Sequence, residues 1–203
     1  MSIERRVVAG AFELRAATED QPQTLAGYAA VFNRDTVIAG LFRERIAPDA
    51  FSRAIKEDDV RALFNHDPNF VLGRTTAGTL ALTQDETGLR YEADTPDTQW
   101  ARDLMVSVAR GDVNQSSFGF QVVREEWKEP ENRAELPTRT IIEARLFDVS
   151  VVTYPAYEET TAEARSRAAE IADPAVDPDP GDVNDHAQML IRQKRQDIIE
   201  GTL

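Results

Sequence analysis

The sequence predicts a mainly β fold with peripheral helices, that is, an α+β protein arranged as a barrel or a sandwich. Most apolar segments before residue 155 are short, and polar or glycine-containing turns separate them, which is typical of antiparallel strands. Few segments carry apolar residues at helical spacing. The 203 residues and the 41% hydrophobic content fit one folded domain with additional chain beyond it.

The N-terminal part, from residue 3 to about 46, favours strands in the segments VVAGAFELRA and TLAGYAAVFN. Pro48 then begins a short helix, since proline is favoured in a first turn and acidic residues stand near the helix start. Four further strand candidates follow, namely VRALFNH, FVLGRTT, TLALTQ and GLRYEAD. The turn-forming residues between them predict a meander of antiparallel strands.

A second helix is predicted from Asp97 to Arg110, where apolar residues recur at helical spacing and Gly111 stands at the position of a C-cap. The chain then returns to strand character in SSFGFQVV. It passes through a polar segment at 125–137, which we expect to be a loop or a long hairpin tip. The segment TRTIIEARLFDVSVVTY follows as one long strand or two successive strands, and Pro155 ends it.

The character of the chain changes beyond residue 160. Residues 160–171 are rich in alanine and glutamate and are expected to be helical. Between Ala172 and His186 stand five aspartates, three prolines and no lysine or arginine, which is a linker composition. We therefore divide the chain into a folded domain at 1–165, an acidic linker at 166–185 and an amphipathic C-terminal helix at 186–203.

The composition excludes several classes of function. The net charge is −13, from 36 acidic and 23 basic residues, which argues against binding to a nucleic-acid backbone. Without cysteine there are no disulfides and no thiolate metal sites, and we expect neither a metal nor a cofactor. No apolar run resembles a signal peptide or reaches membrane-spanning length, so we expect a soluble intracellular protein without membrane contact.

Two residues place polar, reactive groups inside otherwise apolar, strand-like segments. His66, in ALFNHDP, ends a predicted strand just before a turn, and alternation would put it on the same side as Phe64 and Ala62. Asp148, in ARLFDVSVV, interrupts a strongly apolar strand. A carboxylate there needs a partner, because an unpaired buried charge is very costly.

A third segment, QSSFGF, contains two adjacent serines. Alternation puts Ser116 on the same face of the strand as Phe118 and Phe120, and Ser117 on the opposite face with Gly119. If the phenylalanines face the core, Ser117 opens toward a surface or a cleft, and Gly119 leaves room beside it. The pattern therefore favours Ser117 over Ser116 as a nucleophile.

Serine, histidine and aspartate can perform nucleophilic catalysis together. Serine becomes a nucleophile when a base takes its proton, and histidine suits that role near neutral pH. A carboxylate on the other imidazole nitrogen fixes the tautomer and stabilises the imidazolium. The residues alone leave structural alternatives open: a histidine bonded to its turn, ordinary strand serines, and an aspartate that pairs with Arg139 or Arg145. The second histidine, His186, stands in the acidic linker and is expected to be solvated.

Six segments, in order from about residue 10 to 160, resemble the prohead proteases of tailed bacteriophages: GYAAVFN, IAPDAFSRAI, LFNHDPNFVLGRT, GLRYEAD, ARGDVNQSSFGF and LFDVSVVTYPAY. The resemblance implies a serine endopeptidase similar in fold to the herpesvirus capsid-assembly proteases, a closed β-barrel surrounded by helices. It assigns His66 as the general base, Ser117 as the nucleophile and Asp148 as the residue that orients the histidine. The herpesvirus proteases use a second histidine in that third role, and here only His186 could supply it.

The resemblance also implies a biological setting. The enzyme would act in the host bacterial cytoplasm, inside the immature capsid (prohead). Its substrates would be the scaffold or the scaffold-like part of the major capsid protein, and its own chain, with 1–165 as the protease domain. The portal is a further candidate partner, and a homodimer or higher homo-oligomer is expected. The residues after 172 would be a self-cleavage region or a packaging tether, and Arg145 is a weak candidate for stabilising the oxyanion.

Three other functions compete with this interpretation. A non-enzymatic capsid scaffold or assembly chaperone could use the same fold, although it would have no need of all three reactive residues. A small-molecule esterase or amidase is disfavoured, because the G-x-S-x-G elbow of the common hydrolases is missing. A β-barrel binding module is disfavoured by the lack of an aromatic or basic patch.

Overall fold

The computed structural model describes residues 3–10, 12–130, 132, 135–154 and 162–172, without the side chains of residues 162, 163 and 172. Within these ranges the chain is mainly β with few helices. None of the helices in the described ranges is long and apolar enough to cross a membrane. The predicted linker beyond residue 172 and the predicted helix at 186–203 lie outside the described residues.

The described residues form eleven strands and three α-helices. The strands are β1 (Glu4–Ala9), β2 (Glu13–Arg15), β3 (Thr24–Val31), β4 (Thr36–Ile38), β5 (Phe42–Ile46), β6 (Arg61–Phe64), β7 (Asp67–Arg74), β8 (Leu80–Gln84), β9 (Gly88–Asp94), β10 (Gln115–Lys128) and β11 (Thr138–Val152). The helices are α1 (Ala54–Glu57), α2 (Gln99–Arg110) and α3 (Ala162–Ala172), with a single 3₁₀ turn at Thr75–Ala77.

The strands form one sheet of seven and one of four. In the larger sheet, β1, β10 and β11 lie side by side and antiparallel. The other edge of β11 pairs in parallel with β5 near its start and with β6 near its end, and β4 and β7 extend these pairs outward. The smaller sheet is antiparallel in the order β2-β3-β9-β8. Strand β11 thus lies between β6 and β10 and pairs with both.

The main core combines apolar side chains from both sheets with those of α1 and α2. Phe118 and Phe120 of β10 point into it and stack with their ring centroids 4.9 Å apart. Phe51 contacts Phe118 edge-on at 5.7 Å. One face of β10 therefore packs on the core, and the residues that alternate with these phenylalanines lie on the opposite face of the larger sheet.

A buried cluster of charges, which we call the β1 ion cluster, holds β1 in place. It consists of Glu4, Arg6, Glu44 and Arg139, all less than 8% exposed. The Arg6 guanidinium lies 2.6 Å from Glu4 and 2.6 Å from Glu44. Arg139 lies 2.9 Å from Glu4 and 3.0 Å from Glu44. Because buried charges are tolerated only when they are paired, this cluster ties β1 to β5 and β11.

The helix α2 and its C-cap confirm the prediction for that segment. The helix ends at Arg110, and Gly111 follows in the left-handed conformation with φ of 83°. The predicted short helix begins later than expected, because turns occupy residues 48–53 before α1. Helix α3 confirms the helix predicted at 160–171, and it continues past the domain boundary predicted at residue 165.

One prediction about strand arrangement needs correction, and a second is not confirmed. The four strands expected to form a meander belong to different sheets, because β6 and β7 join the larger sheet while β8 and β9 join the smaller one. Moreover, within the described part of the chain the strand pairing closes neither sheet on itself. The closed barrel that the family resemblance implied is therefore not confirmed.

Candidate active site

Strand β10 separates the two adjacent serines as alternation predicted. Ser116 points into the core, where its Oγ lies 3.0 Å from the hydroxyl of Tyr91. Burial raises the pKa of Tyr91 and outweighs the opposing effect of this hydrogen bond, so the phenol stays neutral. Ser117 lies on the opposite face, where its Oγ is 2.7 Å from His66 Nε2. Ser117 is 0% exposed, so the prediction that it opens toward a surface or a cleft was wrong.

His66 reaches Ser117 from the turn between β6 and β7. The sequence pattern extended β6 to His66, but the strand ends at Phe64 and residues 65 and 66 form the turn. Both have positive φ, 53° for Asn65 and 57° for His66, as two-residue hairpin turns of type I′ require. The alternation of β6 therefore does not apply to His66, and the prediction that it shares the side of Phe64 was wrong.

Asn65 fixes this turn to the end of β11. Its backbone N–H donates to the carbonyl of Val151 at 2.9 Å. Its side-chain Oδ1 accepts from the backbone N–H and from the hydroxyl of Thr153, both at 3.0 Å. Asparagine also tolerates the left-handed conformation better than most residues. The turn that carries His66 is thus fastened to the strand that carries Asp148.

Asp148 lies on β11 directly opposite Gly119 of β10. Its Oδ1 lies 2.6 Å from His66 Nδ1, and it accepts a hydrogen bond of the same length from Ser150 Oγ. A Cβ at position 119 would come closer than 3.0 Å to the other carboxylate oxygen, Oδ2. Only glycine therefore leaves space for the carboxylate in this position. Asp148 itself is 8% exposed.

The imidazole of His66 bridges Ser117 and Asp148. A carboxylate accepts hydrogen bonds only, so Nδ1 carries the proton of the short contact with Asp148. In the neutral ring, Nε2 then has a free lone pair that accepts the hydroxyl proton of Ser117. This is the geometry in which a histidine can take the proton of a serine while a carboxylate stabilises the resulting imidazolium.

The alternative partners considered for Asp148 lie elsewhere. Arg139 belongs to the β1 ion cluster and also contacts Glu125 at 2.7 Å. Arg145 is largely exposed, lies 3.4 Å from Asp58 and stacks on Phe147. These contacts hold the Arg145 side chain at Asp58 and Phe147. They give no support to the prediction that Arg145 stabilises the oxyanion. His186, the alternative third member, lies outside the described residues.

Sequence reasoning missed three residues around the site: Asn65, Gly119 as the space beside Asp148, and Ser150. A signal for Ser150 was present, since it stands two residues after Asp148 in D-V-S and alternation places both on one face. No such signal existed for Asn65, because its role depends on a contact with Thr153, which stands 88 residues away, just past the end of β11. The described residues contain no group of three or more His, Cys, Asp or Glu that could hold a metal ion.

Comparison with known proteins yields a family, a relative and a similar fold. Residues 11–174 match the family model described as caudovirus prohead serine protease. The prohead protease of Enterobacteria phage HK97 is 28% identical over 153 residues, which are 72% of this chain and 62% of that protein. The chain thus matches less than two thirds of the length of this relative.

Among solved structures, the capsid assembly protease of bacteriophage T4 is similar with a TM-score of 0.52 and 10% sequence identity. The similarity covers 75% of this chain and 98% of the T4 chain. At this identity the comparison concerns the fold alone.

Proposed function

The chain belongs to the caudovirus prohead serine protease family, as its sequence motifs predicted, and from this premise we propose that it is a serine endopeptidase of capsid maturation. Ser117 is the nucleophile, His66 the general base and Asp148 the residue that orients His66. The observation that carries the proposal is the imidazole of His66, which lies 2.7 Å from Ser117 Oγ and 2.6 Å from Asp148 Oδ1.

The proposed reaction follows from this geometry. Ser117 Oγ attacks the carbonyl carbon of the scissile peptide bond while its proton moves to His66 Nε2. Asp148 stabilises the positive charge that this transfer creates on the ring. His66 then gives the proton to the leaving amine, and the acyl group stays on Ser117. A water molecule, deprotonated by His66, attacks the acyl carbon; the bond to Ser117 Oγ then breaks, the new carboxyl group leaves, and His66 returns the proton to Oγ.

The burial of Ser117 adds a requirement to this mechanism. A side chain with 0% exposure cannot meet a peptide carbonyl, so a substrate reaches it only after its surroundings move. The neighbours of Ser117 are the turn at 65–66, whose His66 contacts its Oγ, and the strand β1, in which Val7 is its register partner. Both are held in place, β1 by the β1 ion cluster and the turn by the hydrogen bonds of Asn65. A substrate-bound conformation would therefore differ from the described one around Ser117.

The family and the relatives support a proposal for the substrates. The chain acts inside the immature capsid, in the host cell, on the scaffold or on the scaffold-like part of the major capsid protein. Residues 1–165 form the protease domain in this proposal, and the acidic segment after 172 is a self-cleavage region or a packaging tether. A non-enzymatic scaffold remains the alternative. It gives no reason for a serine, a histidine and an aspartate to be hydrogen-bonded in series away from the core face of β10.

Coexpression with the cognate capsid and scaffold proteins tests the proposal. Wild type, Ser117→Ala and Ser116→Ala are compared, and the masses of the shell proteins and of the protease chain are followed. Loss of a triad serine can lower turnover by as much as roughly a millionfold, so Ser117→Ala should abolish cleavage. Ser116→Ala is the matched control, because it changes the neighbouring serine on the core face and should still cleave.

Three outcomes of this experiment contradict parts of the proposal. Equal cleavage by wild type and Ser117→Ala would exclude Ser117 as the nucleophile. No cleavage by either, together with normal shells, would favour the scaffold alternative. Protease chains that all keep their intact C-terminus while the shell proteins are cleaved would exclude self-cleavage after residue 172 but leave the protease itself supported.

A further inference from the structure

Ser150 lies at the centre of the hydrogen-bonded groups around His66. It stands on β11 two residues after Asp148, and its register partner on β10 is Ser117. Its exposure is 0%. The side chains of Ser117, Ser150 and Asp148 therefore share the face of the larger sheet that is turned away from the phenylalanines of β10.

The hydroxyl of Ser150 can donate one hydrogen bond, and the distances show which group accepts it. Ser150 Oγ donates to Asp148 Oδ1 at 2.6 Å. The same Oγ lies 3.2 Å from His66 Nδ1, whose own proton points to Asp148. Since the Ser150 hydroxyl donates its proton to the carboxylate, its oxygen presents a lone pair to the protonated Nδ1. Ser150 thus interacts favourably with both the acid and the base.

We infer that Ser150 is a positioning residue for the reaction, which acts by holding the Asp148 carboxylate in the orientation that receives His66 Nδ1–H. This inference rests on the proposed function and deepens it. Without the hydroxyl, Oδ1 keeps His66 as its donor but loses the second donor, which stands on the same strand as Asp148. The carboxylate can then rotate about its χ2 angle, and part of its pre-formed alignment is lost.

Ser116 provides a matched comparison for Ser150. Both serines are buried, both lie on long strands of the hairpin formed by β10 and β11, and both hydrogen-bond a side chain. Ser116 bonds Tyr91 in the core, on the opposite face of the sheet. A purely structural role would make the two alanine variants alike, whereas a positioning role separates them.

The kinetic test uses a double-mutant cycle. Ser150→Ala, Asp148→Asn, the double variant and Ser116→Ala are assayed on a peptide that contains the bond cleaved in the coexpressed shell protein. Hydrogen bonds to charged groups are worth about 1.5–3 kcal/mol, so Ser150→Ala should lower kcat roughly 10- to 100-fold with little change in KM. In the Asp148→Asn background the same change should add nothing. Ser116→Ala should keep the wild-type kcat even where its melting temperature falls.

A spectroscopic test does not depend on activity. The chain has two histidines, so ¹⁵N-histidine labelling gives two imidazoles, and His186→Gln assigns them. The low-field proton resonance of His66 Nδ1–H should shift or broaden in Ser150→Ala and stay unchanged in Ser116→Ala. An unchanged resonance together with an unchanged kcat, or an undiminished effect of Ser150→Ala in the Asp148→Asn background, would overturn the inference. If wild type cleaves nothing, the proposed function fails, and the resonance alone decides whether Ser150 holds the carboxylate.

Discussion

The carboxylate of Asp148 occupies a space that its small neighbours leave open. On one side, Ser150 donates to Oδ1, and on the other side the missing side chain of Gly119 makes room for Oδ2. A carboxylate buried to this degree requires donors, because its charge is otherwise costly. At the residue scale, the orientation of the proposed triad therefore depends on a hydroxyl and on an absent methyl group as much as on the three reactive residues.

Gly119→Ala tests this dependence directly. The new Cβ would come closer than 3.0 Å to Asp148 Oδ2, so the carboxylate has to move away from His66. Loss of a triad carboxylate costs about 10⁴ in kcat, and a displaced carboxylate should cost at least about 10-fold. Overpacking should also lower the free energy of unfolding by about 1–3 kcal/mol. Both are measured on the purified chain, by peptide cleavage and by denaturant unfolding.

Gly10→Ala is the control for that substitution, since a Cβ at position 10 meets no atom within 4 Å. It should leave cleavage at the wild-type rate. If Gly119→Ala also cleaves like wild type, the space beside Oδ2 does not matter for the reaction.

At the scale of elements, alternation along β10 predicted the facing of its side chains, and alternation along β6 failed. The pattern works for Ser116 and Ser117 because they lie within a paired strand of fourteen residues. It fails for His66 because β6 is four residues long and ends before the histidine. Asp67-Pro68 resembles a turn in the sequence, but the turn lies at Asn65 and His66, and β7 begins at Asp67. Local pattern alone could not place the hairpin register.

Variants of Asn65 test whether the turn positions His66. Asn65→Gly keeps a residue that accepts positive φ but removes the oxygen that accepts two hydrogen bonds from Thr153. Asn65→Asp keeps both properties. Because a net hydrogen bond is worth about 0.5–1.5 kcal/mol, Asn65→Gly should lower kcat roughly 3- to 10-fold, while Asn65→Asp should stay near wild type. Peptide cleavage at saturating substrate measures the difference.

Thermal unfolding of both Asn65 variants shows whether the turn is also needed for stability. A glycine variant that is as active as wild type, or an aspartate variant that is as impaired as the glycine variant, would show that the contact with Thr153 does not position the histidine.

At the scale of the whole molecule, the sequence predicted the class of the fold and the family but not the long-range arrangement. Mainly β structure and the helix that ends at Arg110 follow from local patterns. The β1 ion cluster does not, because Glu4, Glu44 and Arg139 are distant in sequence and resemble ordinary surface charges there. The burial of Ser117 could not be predicted for the same reason, since His66, which contacts its Oγ, is 51 residues away in the sequence.

The β1 ion cluster gives the stability of the molecule a defined pH dependence. Burial by itself raises the pKa of Glu4, but hydrogen bonds and charges from Arg139 and then Arg6 outweigh it and hold the pKa below its usual value. A carboxyl group with a lowered pKa in the folded state stabilises the fold fully above its unfolded pKa, about 4.3. This contribution is lost as the pH falls below that value, through the lowered pKa of the folded state.

Glu4→Gln should therefore change both the free energy of unfolding at pH 7 and the way in which it depends on pH. Removing one partner of a buried ion pair costs about 3–5 kcal/mol, so the variant should be less stable than wild type at pH 7. Because glutamine does not titrate, the further loss of stability of the variant below about pH 4.3 should be smaller than that of wild type.

Denaturant unfolding between pH 7 and pH 3 measures both effects. The net charge also changes over this range, from −13 at pH 7 through zero near pH 4.6 to positive values below it, which alters self-repulsion in every variant alike. Glu86→Gln, at an exposed turn, controls for that common effect and should follow the wild-type curve. If the free energies of unfolding of Glu4→Gln and of wild type fall in parallel below about pH 4.3, Glu4 does not contribute to the pH dependence of stability.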